Sequence, residues 1–161
     1  MMAEVFYSRH APDGYECPFC RIARGTEGSD LWTVQSDVFY RDAQVTAFIN
    51  ARWWVNNPGH AVVIPNEHIE NIYELVPDIA VHVHEAARRI AIAFKQVYGC
   101  DGTSTRQHNE PAGYQEVWHY HPHVFPRYNG DALYERTADH RLTTAEERLP
   151  YAEKLRVYFD G

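Results

Sequence analysis

The run Val117-Trp118-His119-Tyr120-His121-Pro122-His123-Val124-Phe125-Pro126-Arg127 restricts this chain more than any other stretch. Side chains of an extended segment alternate between two faces, so His119, His121 and His123 project in one row while Trp118, Tyr120 and Val124 project the other way. The spacing predicts a strand, stopped by Pro126, whose aromatic and β-branched back is buried under helices while the imidazoles face an open pocket. Neutral imidazole is a nucleophile, a proton carrier and a metal ligand near pH 7. A row of such rings suits phosphoryl or metal chemistry; the bland counterpart is a solvated strand face that uses histidine incidentally.

The remaining sequence gives that row a setting. With 161 residues the chain fits one domain able to bury its own core. Residues 1–16 lack periodicity and read as a flexible N-terminal arm; residues 17–161 read as a single domain, with its core over 17–130 and a helical tail over 131–161. Strands are expected at 31–34, 37–42 and 45–50, then a Pro58-Gly59 turn feeding a buried strand to Pro65. A short helix is expected at 68–75. The main helix is expected at 77–98, where Ile79, Val83, Ala87, Ile90, Phe94 and Val97 recur at helical spacing and Gly99 closes the run. Residues 103–108 are expected to form the strand beside the histidine row. A last helix over 145–159 takes Thr144 as cap and is interrupted or restarted at Pro150. Trp53 and Trp54, adjacent on a polar loop, either offer one ring to a base or cover a sheet edge or dimer seam.

Charge and cysteine usage exclude some classes. A net charge of −7 argues against general nucleic-acid binding. No apolar run is long enough to span a bilayer and no leader pattern opens the chain, so neither membrane insertion nor export is expected and the location read is cytoplasmic. The three cysteines do not make a disulfide framework. Cys17-Pro18-Phe19-Cys20 can be half of a zinc site, a redox pair or two unrelated buried thiols. It resembles a glutaredoxin motif, but such motifs follow a buried strand, and here Pro12 to Glu16 precede it.

The histidine row, its alternating apolar residues and the Pro126-Arg127 continuation resemble the signature of the histidine triad (HIT) family, in its zinc-containing bacterial and Fhit-like hydrolase branch. The resemblance covers most of the chain, from Cys17 to Arg127, and implies an α+β fold: an antiparallel sheet with a long helix and short helices packed on one face. It assigns the nucleophile to His121, with His123 and His60 as further catalytic residues. His60 lies in Pro58-Gly59-His60-Ala61-Val62-Val63-Ile64-Pro65, which matches a family element expected to face the triad and hold phosphate. Asn50 is implied at the ribose, and His108, Asn109, Gln115 and Glu116 at the substrate. Glu116 departs from the family pattern, which carries a serine or threonine there, and a carboxylate repels phosphate unless protonated or turned away. Zinc is implied at Cys17, Cys20, His68 and His119; four protein ligands leave no open position, so the ion would be structural.

The activity this implies is hydrolysis at the α-phosphate of nucleoside phosphoramidates or dinucleoside polyphosphates. The path runs through a nucleotidyl-histidine and releases a nucleoside monophosphate from a homodimer. The alternatives are a nucleotidyl transferase acting on a phosphorylated acceptor and a catalytically weak nucleotide-binding protein in which Glu116 has spoiled turnover.

Overall fold

Five short segments pair into one antiparallel sheet, and its apolar centre explains the rest of the architecture. The computed structural model describes residues 7–161. In chain order its elements are α1 (Pro18–Arg24), β1 (Val38–Arg41), β2 (Val45–Ile49), β3 (Arg52–Trp54), β4 (Ala61–Pro65), α2 (Pro77–Ala93), β5 (Gly102–Arg106), β6 (His123–Arg127), β7 (His140–Leu142) and α3 (Ala145–Asp160). The sheet order is β1-β2-β4-β6-β5, and β3 pairs with β7 in a separate two-stranded sheet. Every residue of β2 and β4 is buried, so both faces of the sheet centre are covered. Val45, Ala47, Ile49, Ala61 and Val63 join Ile79, Val83, Ile90, Ala152 and Leu155 in the larger core, under α2 and α3. Phe48, Val62 and Ile64 alternate to the other face and meet Ile22 and Phe19 of α1. The architecture is the α+β fold expected, with α1 on the face opposite α2 and α3. No helix among the described residues is long and apolar enough to cross a membrane.

The long helix follows its periodicity. Pro77 occupies the first turn, α2 continues into a π turn over Phe94–Tyr98, and Gly99 ends it at φ 65°. The α3 helix starts on a capping box between Thr144 and Glu147 and runs through Pro150 without a break. Far from being a tail, it is part of the core: Arg148 is fully buried and grips Asp37 through two hydrogen bonds of 2.8 and 2.9 Å.

Several expected elements are replaced because side chains take their backbone partners. Residues 31–34 form no strand: the Trp32 carbonyl accepts from Arg148, and the Val34 N–H donates to Asp37, which opens a 3-10 turn at Gln35–Asp37. Residues 68–75 form turns rather than a helix, since Ile72 N–H donates to Asn109 and the Glu70 carbonyl accepts from Gln115. The histidine row enters the sheet only at His123. Before it, Tyr120 N–H donates to the Ile69 carbonyl at 2.6 Å, and the Pro122 carbonyl accepts from Val63 at 3.0 Å. Trp53 and Trp54 lie on β3, not on a loop. Of the arm read over residues 1–16, residues 1–6 lie outside the described residues. The rest is pinned, with Arg9 bonded to Glu74 at 2.6 Å, His10 N–H to Glu70 at 2.6 Å and the Tyr15 hydroxyl accepting from Trp118 N–H at 3.2 Å.

Candidate active site

The α1 face of the sheet ends in a cleft of about 600 Å³ whose walls include His121, His123, His108 and Asn50. Alternation along β6 and the preceding residues puts His121, His123 and Phe125 on this face, and Val124 in the helical core. The His121 and His123 rings lie 5.2 Å apart, and Phe19 of α1 stands edge-on to His121 at 5.0 Å.

Hydrogen bonds settle the tautomers. His121 Nδ1 lies 2.6 Å from the His119 carbonyl and must donate its proton to it, which leaves Nε2 bare. Burial holds His121 down to about 4, against a smaller upward pull from that carbonyl. The Asn50 amide is oriented by the Arg52 N–H, which donates to its Oδ1 at 3.1 Å. Its Nδ2 therefore faces His123 Nδ1, 3.4 Å away, and the His123 proton belongs on Nε2. Burial, followed by the charges of His121, His60 and Arg106, holds His123 well below the ordinary histidine value. A bare nitrogen and an N–H donor thus stand side by side.

Other expected residues are placed differently. His60 is completely buried, stacked on Phe125 at 4.4 Å with Trp54 on another side at 5.6 Å, and neither ring nitrogen has a partner among the described residues. It backs the cleft wall without lining it, and burial lowers it to about 3. Gln115 does not reach the cleft either: it donates to the Glu70 and Val117 carbonyls and accepts from Glu110 N–H. Asn109 accepts from Ile72 N–H and exchanges bonds with Gln107. Glu116 lines the cleft but is exposed and paired with Arg52 at 2.9 Å, so its charge is answered on the spot.

Sequence reading missed Trp32, Arg52, Arg106 and His140 as cleft residues and left open which of Trp53 and Trp54 would offer its ring. Trp54 splits from its neighbour by strand alternation: Trp53 enters the core against Tyr151, whereas Trp54 faces the cleft and donates to the Thr137 carbonyl. Pairing of β3 with β7 brings His140 to the same wall, a contact no local pattern encodes. Arg106 had a partial signal, since it lies within the strand expected at 103–108 beside the histidine row; in the structure it ends β5 with His123 as its register partner.

On the far side of His119 the chain forms a second cluster. Cys17, Cys20, His68 and His119 present ligand atoms that all lie within 4.8 Å of one another. Cys17 Sγ and Cys20 Sγ are 3.3 and 3.6 Å from His119 Nδ1, and Cys20 Sγ is 3.3 Å from His68 Nδ1. A tetrahedral zinc ion would separate sulfur and nitrogen ligands by about 3.5 Å, so the donor set fits that ion. His119 is prepared for it: Nε2 donates to the Pro65 carbonyl at 2.9 Å, which frees Nδ1 for the cluster. The side chains of the two cysteines act on each other, which pushes the Cys17 thiol up and holds that of Cys20 down.

Residues 33–130 match the family model described as HIT domain. The protein hit of Bacillus subtilis is 35% identical over 118 residues, covering 73% of this chain and 75% of that protein. The asymmetrical bis(5'-nucleosyl)-tetraphosphatase of Schizosaccharomyces pombe is 28% identical over 98 residues, covering 61% of this chain and 53% of that protein. Among solved structures, a Hit-like protein from Bartonella henselae superposes with a TM-score of 0.73 at 28% identity, covering 92% of this chain and 98% of that one. A zinc-bound histidine triad family protein from Mycobacterium smegmatis gives 0.72 at 25% identity, covering 90% and 94%.

Proposed function

Because the chain belongs to the HIT domain family, we propose that it is a nucleotide hydrolase acting at the α-phosphate of nucleoside phosphoramidates or dinucleoside polyphosphates. One observation carries the reading: the His119 carbonyl holds the His121 proton on Nδ1, so a bare Nε2 stands in the cleft. In the first step Nε2 attacks the α-phosphorus. The N–P bond forms as the bond to the leaving group breaks, and the electron pair departs with that group. His123, its Nε2 proton fixed by Asn50, donates to a phosphate oxygen or to the leaving atom. Water then cleaves the N–P bond, its proton passes to solvent or to the neighbouring imidazole, and the nucleoside monophosphate leaves.

Cys17, Cys20, His68 and His119 would hold zinc, whose part is to cross-link α1 to the histidine segment. The zinc in the Mycobacterium smegmatis protein supports that choice of metal. The name of the Schizosaccharomyces pombe relative supports the polyphosphate class. The Glu116–Arg52 pair weakens the alternative in which a carboxylate spoils catalysis. A homodimer belongs to the same proposal; sedimentation at micromolar concentration tests it, and a monomer there sinks that part.

The decisive experiment follows release of nucleoside monophosphate from adenosine phosphoramidate and diadenosine polyphosphates, wild type beside His121→Ala. Wild-type turnover that falls by about 10⁴-fold or more in the variant is expected. A silent wild type, or an active variant, overturns the reading.

A further inference from the structure

Of the two arginines that line the cleft, Arg52 is paired with Glu116, whereas Arg106 has neither a carboxylate nor a hydrogen-bond partner among the described residues. Its Nε is buried without an acceptor. Its guanidinium carbon sits 4.7 Å from the centre of the Trp54 ring and 4.8 Å from that of Phe125. The two rings hold the cation in place, and burial makes its charge less favourable than in water. A guanidinium so placed, with its donors open, is complementary to a phosphate anion.

The register shows which phosphate. Arg106 pairs with His123 across β5 and β6, so both side chains stand on the cleft face. Its head lies toward Phe125, on the opposite side of His123 from His121. Two residues of extended chain span about 6.6 Å. A phosphorus attacked by His121 must come within about 3.5 Å of Nε2, and the breaking bond points away from the attacking nitrogen. The Arg106 head therefore lies beyond the reacting phosphorus, where the next phosphate of a polyphosphate chain would be.

Building on the proposed function, we infer that Arg106 is a further catalytic residue that binds the departing phosphate chain, so that the site favours anionic polyphosphate leaving groups over amines. In this step the Nε2–P bond forms and the bond from the α-phosphorus to the bridging oxygen breaks. The electron pair stays on that oxygen, which becomes a terminal phosphate oxygen of the leaving nucleotide. Arg106 meets the added negative charge, and no proton has to be delivered. An amine, by contrast, must take a proton as it leaves and offers the guanidinium nothing to bind.

The test compares kcat/KM for diadenosine tetraphosphate and adenosine phosphoramidate in wild type, Arg106→Gln and Arg106→Lys. The ratio of the two should fall about 10- to 100-fold in Arg106→Gln, as for the loss of a charged hydrogen bond, and recover in part in Arg106→Lys, which retains a cation. An unchanged ratio, whether both activities fall together or neither falls, overturns the inference. Calorimetry with ADP and AMP decides the point even for a protein that turns nothing over, an outcome that would sink the proposed function separately. Wild type should bind ADP more tightly than AMP, and Arg106→Gln should lose that preference; a preference that survives in Arg106→Gln overturns the role of Arg106.

Discussion

His119 and His121 are two residues apart on the stretch that leads into β6, yet the two ends of that stretch use imidazole in opposite ways. At the cluster end, His119 gives its Nε2 proton to the Pro65 carbonyl and turns Nδ1 to the sulfurs of Cys17 and Cys20. At the cleft end, His121 gives its Nδ1 proton to the His119 carbonyl and keeps Nε2 for the cleft. The ring is the same and the local sequence is nearly the same; the backbone carbonyl within reach decides which nitrogen is free. The two regions are also joined, because the residue that would ligate metal owns the carbonyl that fixes the His121 tautomer. His60 is a third case, with neither nitrogen tied, and it sits behind the cleft wall.

That division of labour breaks first at the cysteines. Cys20→Ser should reduce bound zinc from one ion per chain to a small fraction by elemental analysis. It should also lower the Tm by about 10 °C or more, since metal binding contributes directly to folding. His121→Ala should keep its zinc and melt within about 2 °C of wild type while losing turnover. Variants that melt alike would erase the distinction between a structural and a chemical end. A smaller effect is expected at Asn50: Asn50→Ala frees His123 to take the other tautomer and should lower kcat about 10-fold, with melting little changed. An unaltered kcat in that variant means the amide does not position His123.

The last effect concerns His60 and pH. Its folded value of about 3 lies below the ordinary histidine value of 6.5, so between those values the unfolded chain binds a proton that the native state does not. Its contribution to stability is therefore intact above pH 6.5 and lost as pH falls toward 3. Urea unfolding of wild type and His60→Leu at pH 7.5 and pH 5 should show wild type losing about 2 kcal/mol more than the variant over that interval. Parallel losses would mean that His60 is protonated inside the native protein.

Much of this was legible before any coordinates. Strand alternation put His119, His121 and His123 on one face and Val124 on the other, and helical spacing marked Ile79, Val83, Ala87 and Ile90 as the buried stripe of α2. Both are repeats within a few residues, carried by backbone geometry, and they survive into the fold because burial rewards them. The resemblance of the short motifs to a family added the cysteine-histidine set, which the fold brings together across 102 residues between Cys17 and His119.

What stayed hidden has one physical character: it depends on which backbone groups were already satisfied by distant side chains. Residues 31–34 carry strand-like residues, but Arg148 and Asp37, 111 positions apart, take their carbonyl and N–H. Residues 68–75 lose their helix to Asn109 and Gln115 in the same way. Gln115 and Asn109 are in turn spent on hydrogen bonds within the protein and do not line the cleft, whereas Arg106 and Trp54 do. The periodic residues, and with them the histidine row and the long helix, were readable because period and burial agree within one segment. Which polar groups remain free for chemistry was decided only on closure of the tertiary structure, because a hydrogen-bond donor is available only after every competing acceptor in space has been placed.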